Sequence, residues 1–113
     1  MLRSENRLKK RKEFAYLYNN GKAKHAPHLT LVYLPTKHRP LKIGFSLSKK
    51  KIGKAHTRNL VKRRLRAIAF DWVKLMKDNF NVVFIGKPGI ENLTFSQIRE
   101  EMENLIKQSE MLR

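Results

Sequence analysis

The chain has 113 residues, enough for one compact domain around one hydrophobic core. Twenty-six Lys and Arg face nine Asp and Glu, a formal net charge of +17, while hydrophobic residues make up 41%. That charge calls for a polyanionic partner, nucleic acid before anionic membrane; the apolar share excludes a disordered chain, and the lack of cysteine excludes disulfide and thiol chemistry and suits a reducing cytoplasm.

The opening MLRSENRLKKRKEF carries charge but no apolar segment of the kind a secretory signal needs, and no apolar run approaches the roughly 18–20 residues of a membrane span. RKEFAYLYNNGK reads as a short helix, with Phe14, Leu17 and Tyr18 at i, i+3 and i+4 and Gly21 as its C-terminal stop. HLTLVYL alternates as a strand does, Leu29, Leu31 and Tyr33 on one face and Thr30, Val32 and Leu34 on the other. Pro35 and Pro40 bracket a turn holding His38. LKIGFSLS follows as a second strand, and the two strands are expected to pair as a hairpin. KKKIGK is a basic loop, with a short strand before it as an option. FNVVFIG is a buried strand, KPG a turn, and TFSQIREEMENLIKQ a helix opened by a capping box of Thr94 and Gln97, with Phe95, Ile98, Met102, Leu105 and Ile106 as its apolar stripe. The expected order is α, β, β, a basic loop or further strand, α, β, α: an α/β or α+β sandwich, with about three helices on a central sheet of about four strands.

Between Glu13 and Asp71 there is no acidic residue, yet fourteen Lys or Arg occur. Much of this charge lies on a long helix expected from about His56 or Thr57 to about Lys77. On a wheel of about 100° per residue, Val61, Leu65, Ile68, Trp72 and Leu75 form one stripe, extended by Met76. Asn59, Lys62, Arg63 and Arg66 fall opposite. A helix seated by its apolar stripe holds its cations at set spacings, so it can match one arrangement of phosphates where a floppy basic tail cannot. A face that served only solubility would mix signs for i,i+4 pairing, and this one does not.

Phe14, Tyr18 and Tyr33 could stack unpaired bases, or could be ordinary core; pattern alone favours core. His25 and His28 lie in a loop beside Pro27, and without Cys or clustered carboxylates no metal site is expected. The basic region contains no nucleophile–base pair, glycine-rich phosphate loop or paired carboxylates, so no catalytic residues are expected in the protein itself.

SKKKIGKAHTRNLVKRRLRAIAF resembles the signature of the bacterial ribonuclease P protein subunit, a Lys-rich stretch with Gly53 and Ala55 followed on a helix by Arg58, Asn59, Lys62, Arg63 and Arg66. RLKKRKEFAYLYNNGKAK is similar to that family's opening, with an aromatic pair one helical turn apart. The likeness covers nearly the whole chain. In the family's Arg-Asn-Arg trio the third residue is Leu60 here, with Arg64 one turn on as a candidate replacement.

The resemblance implies a single RNA-binding domain over residues 1–113 with an unusual left-handed βαβ crossover around the basic motif. It implies an accessory subunit that binds the catalytic RNA of ribonuclease P and the 5′ leader of precursor tRNA, promoting endonucleolytic 5′ maturation. The RNA and its Mg²⁺ ions perform the hydrolysis; the protein needs no cofactor of its own and no obligate protein partner. By position, Lys49, Lys50, Lys51, Lys54, Arg58, Asn59, Lys62, Arg63, Arg64 and Arg66 would contact RNA. Phe14 and Tyr18 would line the leader cleft, and so would Tyr33, whose face depends on strand register. The competing readings are a ribosomal or other structured-RNA binding protein without a processing role, and a basic protein lying on anionic membrane through the apolar stripe.

Overall fold

The computed structural model describes residues 3–37 and 40–113. Helix α1 (Arg11–Asn20) leads into strands β1 (Lys22–His25), β2 (Leu29–Pro35) and β3 (Lys42–Leu47), then helix α2 (Ala55–Trp72), strand β4 (Phe80–Gly86) and helix α3 (Phe95–Gln108). The sheet runs β1-β2-β4-β3. β1 pairs antiparallel with β2 and β2 with β4, whereas β3 and β4 are parallel neighbours joined through α2, a βαβ unit. This is the expected α+β class, but the β2–β3 hairpin does not form: β4 takes the place between those strands. The hairpin is made instead by β1, whose sequence KAKH carries no apolar alternation. The Lys-rich run 49–51 holds no strand. His38 and the centre of the turn between Pro35 and Pro40 lie outside the described residues.

Strand alternation distributes side chains to two cores. Leu31 of β2 and Phe84 of β4 face α2 and α3 and pack with Leu65, Ile68, Met102 and Leu105, all fully buried. On the other face, Val32 and Val83 pack with Leu17 of α1 and Leu8. Each such aliphatic side chain stabilises the fold by about 1.5–3 kcal/mol relative to leaving it in water. Leu8 belongs to an N-terminal segment laid along β3: its N–H donates to the Ile43 carbonyl at 3.0 Å, and Asn6 Nδ2 donates to the Leu41 carbonyl at 2.8 Å.

Three local expectations need correction. Leu75 is 53% exposed, because α2 tightens into a 3-10 turn over Val73–Leu75 and the tighter winding moves the stripe off phase; Met76 is buried instead. Phe95 is 40% exposed, since it is the first residue of α3 and side chains lean toward a helix N-terminus, which carries it past the helix's packed end. Gly21 does end α1, but in extended backbone (φ −78°), so left-handed geometry is not what requires glycine there. The requirement is room: a Cβ would stand 2.7 Å from the Leu17 carbonyl oxygen and from Val32 Cγ1.

The capping box of α3 forms in both directions. Gln97 N–H donates to Thr94 Oγ1 at 3.2 Å and Thr94 N–H donates to Gln97 Oε1 at 2.9 Å. Arg99 then ties α3 to α2, donating to Asp71 at 2.8 Å and to Glu103 at 3.0 Å, while Trp72 Nε1 donates to the same Glu103 at 3.2 Å. The seat of α2 is thus apolar beneath and braced by an ionic network at its C-terminal end.

Candidate nucleic-acid interface

The basic loop owes its shape to one apolar residue. Ile52 is buried at 2% exposure and its N–H donates to the Ser48 carbonyl at 2.9 Å, which closes a turn that leaves Lys49, Lys50 and Lys51 in solvent. Arg58 locks this turn to the start of α2: one guanidinium nitrogen donates to the Ile52 carbonyl at 2.8 Å and to the Gly53 carbonyl at 2.9 Å. Loop and helix therefore present their cations as one surface. Helix α2 opens at Lys54 with no side-chain cap and no acidic residue in its first turn, so the positive end of its dipole adds to the same field.

Along α2 the apolar stripe is as expected at Val61, Leu65 and Ile68, joined by Ala69. Asn59 and Arg63 are exposed, and Lys62 and Arg66 half-buried. The ammonium of Lys62 is pushed below its ordinary pKa, first by burial and then by repulsion from Arg66, Arg58 and Lys49. Lys49 of the loop and Arg58, Lys62 and Arg66 of the helix thus lie close enough for Lys62 to feel the other three charges. Arg64 departs from this cluster. Its guanidinium donates to the Leu93 carbonyl at 3.3 Å, on the flank facing the segment before α3, and Leu60 is exposed.

The second part of the site is a cleft of about 240 Å³ between α1, the N-terminal segment and β3, lined by Arg7, Leu8, Lys9, Phe14, Gly44 and Arg66 among others. Phe14 and Tyr18 lie 6.3 Å apart between ring centroids, tilted by 47°. Phe14 lines the cleft and is half-buried; Tyr18, 45% exposed, is not among the lining residues and extends the aromatic surface beside it. The Phe14 ring lies on Gly44, where a Cβ would approach Phe14 Cζ to 2.6 Å and Leu8 Cβ to 3.1 Å. Gly44→Ala is accordingly expected to lever the ring out of the cleft at a stability cost of about 1–3 kcal/mol, the range for overpacking. Thermal melts would read the cost and leader-dependent tRNA affinity the displacement; an unchanged affinity would mean that the ring's seat is immaterial.

Tyr33 is corrected. It is 3% exposed and packs on Phe80 at 6.2 Å on the α2–α3 face of the sheet, away from Phe14 and Tyr18. The predicted alternation was right, but the cleft lies on the face that Tyr33 does not share. Conversely, Arg7 and Lys9 line the cleft and were not anticipated; the buried Arg7 Nε has no hydrogen-bond partner among the described residues. The available signal was Leu8 set between two cations, an apolar anchor in a basic segment. His25 and His28 serve the scaffold: His25 Nδ1 sits 3.3 Å from Thr30 Oγ1, and Glu101 accepts from both the backbone N–H and Nδ1 of His28, each at 2.8 Å.

A cationic helix and loop, opening at Arg66 onto an aromatic cleft, are the features of an RNA-binding protein. Comparison with known proteins agrees. The family model described as ribonuclease P matches residues 2–110. The ribonuclease P protein component of a Nitratiruptor species is 37% identical over 100 residues, covering 88% of each chain. That of Clostridioides difficile is 32% identical, covering 92% of this chain and 91% of its own. Among solved structures, the Staphylococcus aureus RNase P protein superposes with a TM-score of 0.87 at 23% identity over 96% of this chain and 98% of its own, which speaks for the fold. The Thermotoga maritima protein gives 0.82 at 25% over 92% and 97%. The chain belongs to the ribonuclease P protein family, the protein component of a ribonucleoprotein endonuclease of tRNA processing, and its partner is the ribonuclease P RNA.

Proposed function

We propose that the loop 48–54 and the exposed face of α2 dock on the catalytic RNA, while the cleft over Gly44 holds the single-stranded 5′ leader of precursor tRNA. The observation that carries this reading is Arg66, which belongs both to the cation cluster of α2 and to the wall of the cleft with Phe14. A leader in the cleft would lie beside the RNA that cuts it, its bases on Phe14 and Tyr18 and its phosphates near Arg7, Lys9 and Arg66.

In this reading Mg²⁺ belongs to the RNA. The cleft offers cations and rings where a hard divalent ion needs several oxygen ligands, so its residues do not fit one, and the protein acts by positioning. No helix among the described residues is long and apolar enough to cross a membrane, and a cytoplasmic setting accords with a tRNA-processing task. The test is reconstitution with a bacterial ribonuclease P RNA and a leader-bearing tRNA at low Mg²⁺. The protein is expected to raise 5′ cleavage, and more for the leader-bearing substrate than for one cut to a single leader nucleotide. No gain in cleavage would return the protein to RNA binding without processing.

A further inference from the structure

We infer that Arg63, Arg66, Ala67 and Phe70 form a binding site for one unpaired nucleotide of the catalytic RNA, adjoining the leader cleft at Arg66; the inference rests on the reading of α2 as the face docked on that RNA. The four residues are spaced i, i+3, i+4 and i+7, which places them in one strip of the helix surface. They line a shallow groove of about 320 Å³. Phe70 is 47% exposed, and Ala67 keeps the floor of the groove low between the ring and the arginines.

The two chemistries in this groove are those that an unpaired nucleotide requires. A guanidinium fork pairs with a phosphate, and an aromatic face accepts a base of any identity. The neighbouring carboxylate does not oppose this, because Asp71 is already bound by Arg99 at 2.8 Å. Arg66 is the common wall of this groove and of the cleft with Phe14, so RNA along α2 would pass over both. A second copy of the chain is a poor occupant: each carries a formal charge of +17, and arginines would meet arginines.

The test measures binding of the whole protein to the catalytic RNA alone across a salt series, for the wild type and for Phe70→Ala, Phe70→Trp, Phe70→Leu and Arg63→Ala. Phe70→Ala is expected to raise Kd about ten-fold at every salt concentration, as the loss of one stacked base would. Its salt dependence and melting temperature should stay those of the wild type, since the ring contacts no phosphate and is half in solvent. Phe70→Trp should restore binding and Phe70→Leu should not. Arg63→Ala should instead lower the slope of log K against log salt by about one. Wild-type affinity in Phe70→Ala, or full rescue by leucine, overturns the inference while leaving the docking face in place. So does a Phe70→Ala effect confined to leader-bearing tRNA or to an acidic protein ligand. Failure of the wild type itself to bind the catalytic RNA would overturn the docking face together with the inference.

Discussion

Replacing Phe14 and Tyr18 together by alanine is expected to lower the holoenzyme's affinity for leader-bearing precursor tRNA by tens-fold or more, while affinity for mature tRNA changes little. Each base stacked on an aromatic ring contributes roughly 1–3 kcal/mol, so losing two such platforms is a large effect even if the bases recover part of it by stacking on each other. The selectivity follows from placement. The two rings sit on α1 beside the cleft over Gly44, whereas the cation cluster of Lys49, Arg58, Lys62 and Arg66 is left whole. Folding is affected less: Leu17 is the fully buried residue of the same helix and Tyr18 is nearly half in solvent, while half-buried Phe14 packs on the Leu8 and Val83 core, so some stability is lost and the contrast between the two tRNA forms is what isolates the leader contact. Parallel titrations of the two tRNA forms check the expectation. Equal losses on both would remove the leader from the cleft.

Helices and strands whose apolar residues keep a regular period were legible in the sequence, and those without one were not. FNVVFIG is strand β4 from Phe80 to Gly86, and Thr94 caps α3 as its capping-box pattern foretold. Strand β1 was missed because Lys22, Ala23, Lys24 and His25 form an edge with little to bury, and lysines on an edge guard against stray pairing rather than announce a strand. Strand order was out of reach for a different reason. Periodicity tells which residues share a face but not which strand becomes the neighbour, and β4 reaches its place between β2 and β3 only after α2 has crossed over.

The same limit governs the site. The wheel identified Lys62, Arg63 and Arg66 because packing on one side of a helix dictates exposure on the other. It could not reveal that Arg58 spends its guanidinium on the carbonyls of Ile52 and Gly53, nor that Arg64 turns to Leu93, because both depend on where non-helical backbone comes to rest. Gly44 was silent for a similar reason. Its importance is the ring lying on it, which arrives from a helix far earlier in the chain.

Leu65→Ala separates the anchor from the contacts that it supports. Leu65 is completely buried beneath the cation cluster, so the substitution is expected to destabilise the fold by about 2–5 kcal/mol through lost transfer energy and the remaining cavity. For a domain whose whole stability is about 5–15 kcal/mol, that lowers the melting temperature by many degrees. No cation is removed, however. Below its melt, Leu65→Ala should bind catalytic RNA with the salt slope of the wild type. Added RNA should also recover part of the lost melting temperature, because it binds the folded chain alone. Arg63→Ala should do the reverse, leaving the melt unchanged and reducing the slope. A shallower salt slope in folded Leu65→Ala would show that the cations are held by something other than the helix's apolar seat, and an unshifted melt would show that the seat bears no weight.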